Sequence, residues 1–275
     1  MKASLRSGVP RSRRTSASSP IAPQFGFPAA ATIVGWSRNA VSTRSERNTT
    51  GFARTYPVHR REFALTALAP FLQATAVIDW ARPEVLDLAH NLARGAANPT
   101  AVACRCFEWV RDEILHTADH GLDQVTCSAS DVLRERTGFC YAKSHLLAGL
   151  LRANEIPAGF VYQRLALDNR GDTFCLHGLN AVWLPEGSWY RIDPRGNRDN
   201  LRARFDPPVE VLPFACVVPG EVLYPDIWAE PLALVVDALR HCRTREEFEA
   251  NLPDTTDVNL HPYRARCVVE FTPAV

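Results

Sequence analysis

The chain predicts an α+β fold in which N-terminal helices pack on an antiparallel sheet, preceded by a long extension without regular structure. Three observations carry that prediction. Apolar residues recur at helical spacing from Pro83 to Asn154, the period becomes that of strands from Gly159 to Ile192, and the first sixty residues sustain neither. The 275 residues, 46% hydrophobic and 22% charged, suffice to bury one sizeable core.

A net charge of +1 conceals segregation along the chain. Residues 1–61 hold eleven Lys or Arg and one acid, Glu46, whereas the remainder holds 20 basic and 29 acidic residues. A stretch so rich in Arg, Ser, Thr and Pro buries too little apolar surface to offset its ordering entropy, so residues 1–65 read as a disordered basic extension. A leader is the alternative, because Arg60-Arg61-Glu62-Phe63 and the apolar run Ala64 to Ala76 imitate a twin-arginine export signal. Pro70 and Gln73 interrupt that run, which flows into Val77-Ile78-Asp79-Trp80 without a break and so favours an extension ahead of a cytoplasmic domain. The basic arm lacks interleaved aromatics, and no segment has the length and apolarity of a membrane span, so neither a nucleic-acid nor a membrane partner is expected.

The folded domain is assigned to residues 70–254. Pro83 to Arg94 reads as a helix with Val85, Leu86, Leu88, Ala89 and Leu92 inward. A second helix, capped by Thr100, turns Val102, Cys106, Trp109, Val110 and Ile114 inward. A loop from His116 to Thr126 follows; its cluster His116, Asp119 and His120 reads as solvated, with substrate positioning as the alternative. Ser130 opens a short turn or helix. The helix from Cys140 to Asn154 presents Leu146, Leu147, Leu150 and Leu151 to the core and stops before Pro157. Strands are expected over Gly159–Leu167, Phe174–Leu184 and Trp189–Ile192, the last two forming a hairpin through Pro185-Glu186-Gly187-Ser188. Tyr162 and Gln163 either line a cleft or alternate in their strand. Beyond Asn197, Arg202 to Tyr224 reads as a proline-rich segment wrapping the surface. Pro231–His241 and Thr244–Leu252 read as helices, the second with Thr244 and Glu247 in capping-box spacing. Residues 255–275 read as a loosely attached tail.

Chemistry concentrates at Cys140. It opens its helix, where unpaired N–H groups and the positive end of the helix dipole stabilise an anion. The hairpin brings His177, near the start of one strand, beside Asp193, at the end of the other, and the helix N-terminus can lie across that open end. Nucleophile, base and orienting carboxylate, the roles required for nucleophilic acyl transfer, then occur in the order Cys140, His177, Asp193. His145 stands five residues from Cys140, about 140° round the helix, and is not expected to be the base. The other seven cysteines are scattered without a C-x-x-C pair, as small core residues of a reducing compartment would be. Cys175 with His177 makes only a two-ligand fragment, so no metal or other cofactor is expected.

Gly138-Phe139-Cys140, the following Leu-Leu-Ala-Gly-Leu-Leu-Arg-Ala-Asn-Glu-Ile-Pro-Ala, His177, and Trp189-Tyr190-Arg191-Ile192-Asp193-Pro194 closely resemble the core motifs of the transglutaminase-like superfamily. The match looks closest to bacterial stand-alone members. It is clear over about residues 126–200, and the helices from 77 to 115 fit the same domain. The resemblance implies a papain-like fold and a catalytic triad at Cys140, His177 and Asp193, acting on a peptide or protein amide substrate. Two departures stand beside the triad: Arg195 where the family often has Thr, and Gly178-Leu179 after His177 where it has a small residue and Trp. Two classes of function follow. The first is a thiol-dependent hydrolase or acyltransferase, with hydrolysis favoured because no lysine-binding tunnel or EF-hand loop is recognisable. The second is a catalytically idle fold that binds peptides or serves as a scaffold.

Overall fold

The computed structural model describes residues 67–168, 171–198 and 201–257, with the backbone of 264–266. The basic extension and the Arg60-Arg61 pair lie outside the described residues, as does most of the tail. No described helix is long and apolar enough to cross a membrane.

Helix α1 (Pro83–Ala93) and helix α2 (Pro99–Glu113) both begin at a proline, which lacks the N–H that a first helical residue cannot use. The cap of α2 is Asn98, whose side chain accepts from the Ala101 N–H at 2.9 Å, and not Thr100 as expected; Pro99 takes the first helical position and moves the boundary forward. Of the face predicted, Cys106, Val110 and Ile114 are buried, while Ala103 and Phe107 take the inward places expected of Val102 and Trp109. Trp109 stays half-buried beneath the Arg136 guanidinium, 4.7 Å from the ring centroid.

A short strand β1 (Leu115–His116) runs parallel to β2 (Thr137–Gly138), with His116 opposite Gly138. This pair was invisible to periodicity because two residues define no period. Between them, helix α3 (Ala129–Glu135) starts from a capping box in which Ser128 and Asp131 exchange bonds, two residues ahead of the expected Ser130. The central helix α4 (Cys140–Ala153) is buried from Cys140 to Arg152 on every side, enclosed by α1, α2 and α3 and by the sheet. Arg152 is buried near its end and donates to the carbonyls of Gln73, Ala158 and Ala229, tying three segments together.

The sheet is antiparallel, in the order β10 (Arg264–Arg266), β9 (Asp226–Trp228), β3 (Ala158–Ala166), β4 (Phe174–Leu184) and β5 (Ser188–Ile192), with β8 (Val222–Leu223) also pairing β3. Its centre is β3 and β4, followed by β5. Phe160 and Val182 face the helices, while Val161, Leu179 and Ala181 form a second core with Phe71, whose ring lies 4.8 Å from that of Trp189. The segment Arg202–Tyr224, expected to wrap the surface, does so mostly exposed or half-buried but carries a hairpin, β6 (Arg204–Asp206) with β7 (Val209–Val211), and strand β8 (Val222–Leu223); beyond it comes β9 (Asp226–Trp228). Helices α5 (Ala233–His241) and α6 (Arg245–Ala250) follow. Thr244 caps α6, but Glu247 reaches the Arg243 N–H, so the box is not reciprocal. Within the tail, β10 (Arg264–Arg266) pairs with β9 and adds an edge strand that composition alone did not suggest.

The pairing of β5 covers only Asn180–Leu184 of β4, which leaves the earlier half of that β4 edge open. Helix α4 closes it. The Tyr141 hydroxyl donates to Leu176 O, the Ser144 hydroxyl to Gly178 O at 3.3 Å, and Asn180 Nδ2 to Ser144 O at 3.0 Å. Close approach requires a glycine here: a Cβ on Gly178 would lie 2.8 Å from Tyr141 Cδ1 and 3.3 Å from Tyr141 Cα. Gly178→Ala is therefore expected to destabilise the protein by about 1–3 kcal/mol in denaturant unfolding.

Candidate active site

Phe139 caps α4 without a side-chain bond, so the first-turn N–H groups beside Cys140 remain free of a capping oxygen. Cys140 itself is only 7% exposed. His177, on β4, is close enough to the Cys140 sulfur to feel its charge and, through Nε2, hydrogen-bonds Asp193 Oδ2 at 2.6 Å. Since Nε2 faces Asp193, Nδ1 is the nitrogen left for sulfur. Asp193 follows the last residue of β5, and because Ile192 registers with Asn180, it stands diagonally across from His177. Its other oxygen accepts the Arg195 backbone N–H at 2.8 Å, so this wholly buried carboxylate has both oxygens engaged. The structure thus brings all three sequence-predicted residues together.

The electrostatics of His177 follow from those neighbours. Burial alone disfavours the imidazolium, but the Asp193 carboxylate, the neighbouring Cys140 sulfur and the hydrogen bond to Asp193 outweigh it and raise the pKa from 6.5 to about 10. The edge of the Phe214 ring packs on the imidazole at a centroid distance of 4.9 Å. Phe214 is itself held by Gln163, whose Nε2 donates to Phe214 O at 3.0 Å and which pairs with His177 in the β3–β4 register. Gln163 therefore borders the site. Tyr162 serves the fold instead, its hydroxyl accepting the Leu232 N–H.

His145 lies away from this cluster. It is fully buried, its Nδ1 is 2.7 Å from Cys127 O, and burial lowers its pKa to about 4. The expectation of a solvated His116–Asp119–His120 loop fails for its first two members. His116 is buried edge-on against Phe139, the residue before Cys140, and Asp119 is gripped by Arg195 at 2.6 and 2.9 Å. Only His120 is exposed. Burial first, and then the charges of Arg195, Lys143 and His177, hold His116 well below the usual imidazole range.

Two residues escaped the sequence reading. Lys143 is wholly buried one turn beyond Cys140, donating to the carbonyls of Arg111 and Ile114 at the end of α2, and burial lowers its pKa to about 7. A lysine inside the Tyr-Ala-Lys-Ser-His-Leu-Leu run was the available signal, since charge on an otherwise buried helix requires a partner. Phe214 had no signal, because its place depends on a long-range contact within a segment of irregular composition. Among the described residues, no group of three His, Cys, Asp or Glu side chains could hold a metal ion.

Residues 86–194 match the sequence model of the transglutaminase-like superfamily. No curated protein shows a match to the chain. Among solved structures, a candidate cysteine protease from Cytophaga hutchinsonii is 22% identical at a TM-score of 0.39, covering 46% of this chain and 42% of that one. The periplasmic domain of TgpA from Pseudomonas aeruginosa is 23% identical at a TM-score of 0.38, covering 47% of each chain. The chain thus spans less than half the length of these relatives.

Because folding raises the proton affinity of His177, its stabilising contribution is complete below about pH 6.5 and disappears as the pH rises towards about 10. Unfolding free energy measured across that range is expected to fall. The same series with Asp193→Asn, which removes the principal charge favouring the imidazolium, is expected to show a shallower decline.

Proposed function

From the match of residues 86–194 to the transglutaminase-like superfamily model and the geometry of the site, we propose that the chain catalyses thiol-dependent acyl transfer from peptide or glutamine amides, chiefly to water. The observation that supports this most is His177 held by Asp193 at 2.6 Å and set beside Cys140, with the sulfur at a helix N-terminus that has no side-chain cap. In this reading Cys140 sulfur, its proton held by His177, attacks the amide carbonyl and forms a tetrahedral intermediate. The Cys140 backbone N–H donates to the developing oxyanion. Collapse breaks the C–N bond, and the departing amine takes the proton from His177. His177 then removes a proton from water, the resulting hydroxide attacks the thioester, and carboxylic acid and thiol are released. An amine in place of water gives transamidation by the same steps.

Asp193 holds the imidazole in orientation and balances its positive charge. Phe214 covers the imidazole, which keeps competing water from its hydrogen bonds.

Cys140 is expected to alkylate with iodoacetamide faster than each of the other seven cysteines, as read by peptide mapping, and His177→Ala is expected to remove the excess. Equal labelling of all accessible cysteines would favour the idle, peptide-binding alternative. Against any amide substrate found by screening, Cys140→Ala is expected to abolish turnover, and Asp193→Asn to lower it by about 10²- to 10⁴-fold with Cys140 still alkylatable.

A further inference from the structure

Next to the triad lies a pocket of about 320 Å³ lined by four cations, Arg111, Lys143, Arg195 and Arg198, and two carboxylates, Asp112 and Asp119. Asp112 is fully used by Arg111, which grips it through Nε and Nη2, both at 2.7 Å. Asp119 answers two guanidinium groups at once, Arg195 at 2.6 Å and Arg198 at 3.1 Å, leaving one positive charge over. Lys143 has only carbonyl oxygens as hydrogen-bond partners. The nearby Asp193 is already engaged by His177 and the Arg195 N–H. With Lys143 protonated, the pocket therefore holds two more cations than carboxylates, and Lys143 and Arg195 are both more than nine-tenths buried.

Arg198 is half-exposed, so the cost of an unmatched buried charge falls on Lys143, and a small oxyanion in the pocket would offset it and hold the ammonium protonated. Further features suit such a ligand. His116 is neutral and accepts the Asp119 N–H at Nδ1, which places its proton on Nε2 as a donor at the pocket wall. Gly196, at a φ of +120°, keeps the space open: a Cβ there would lie 3.5 Å from Arg111 O and 3.9 Å from Lys143 Nζ.

The walls are continuous with the triad. His116 pairs with Gly138, two residues before Cys140; Lys143 lies three residues after it; Arg195 lies two after Asp193. We propose that the pocket is a carboxylate subsite, which holds an acidic group carried by the substrate beside the amide presented to Cys140. This assignment rests on the acyl-transfer reading for its link to substrate, but the anion site itself does not. A carboxylate suits the pocket better than a phosphate dianion because Asp112 and Asp119 also line it.

The test is calorimetric titration of the full chain and of Cys140→Ala with glutarate, against glutaramide and sodium chloride at matched ionic strength. Glutarate is expected to bind both proteins, and glutaramide neither. Arg198→Gln, at a half-exposed position, is expected to weaken glutarate by about 2- to 5-fold. Bound glutarate is also expected to slow iodoacetamide alkylation of Cys140. Absence of glutarate binding beyond the salt control would overturn the site, whatever the reactivity of Cys140. Binding that leaves alkylation unchanged would overturn the assignment to substrate. An unreactive Cys140 in a protein that still binds glutarate would overturn the acyl-transfer reading and, with it, the substrate link, while supporting the anion site.

Discussion

The site depends on how the N-terminal half of helix α4 docks along the edge of β4 that β5 leaves uncovered. Backbone groups at a sheet edge must find partners or water, and here Leu176 and Gly178 find theirs in the hydroxyls of Tyr141 and Ser144. Asn180 completes the seam by donating to Ser144 O and Gly159 O, so one side chain bridges helix and both central strands. These contacts flank His177 in sequence and begin one residue after Cys140. The relative position of sulfur and imidazole is thereby set by rigid elements, whereas a loop would leave it variable.

Burial around this seam explains the polarity of the interior. A helix enclosed on every side is ordinarily apolar, yet α4 carries Lys143, Ser144, His145 and Arg152 inward. Each has identifiable partners. Ser144 serves β4, His145 faces Cys127 O, Arg152 binds three segments through their carbonyls, and Lys143 holds the end of α2. The cations near the helix start, Lys143 and Arg195, also act on His116. His116 stays neutral beside them, while His177 gains a proton through its carboxylate partner.

The parts of this arrangement legible in the sequence share one property: each rests on a pattern several residues long. The α4 periodicity, the two strands and the hairpin between them suffice to put Cys140, His177 and Asp193 at one open end. What stayed hidden depends on single contacts or two-residue pairings. The β1–β2 ladder is too short to carry a period, the strands between Arg204 and Trp228 are three residues or fewer, and Asp119 is drawn inward by Arg195, which reaches back to it from beyond Pro194. Arg195 was visible as an unusual residue after Asp193-Pro194, but nothing local indicated its partner.

In the proposed reaction Cys140 carries the acyl group while His177 manages its protons. The most direct measurement is acid-quench trapping with a peptide-amide library followed by peptide mapping for a thioester. The expected result is an acyl adduct on Cys140 that is absent from His177→Ala. Amide turnover with no Cys140 adduct at any quench time, continuing in Cys140→Ala, would contradict it.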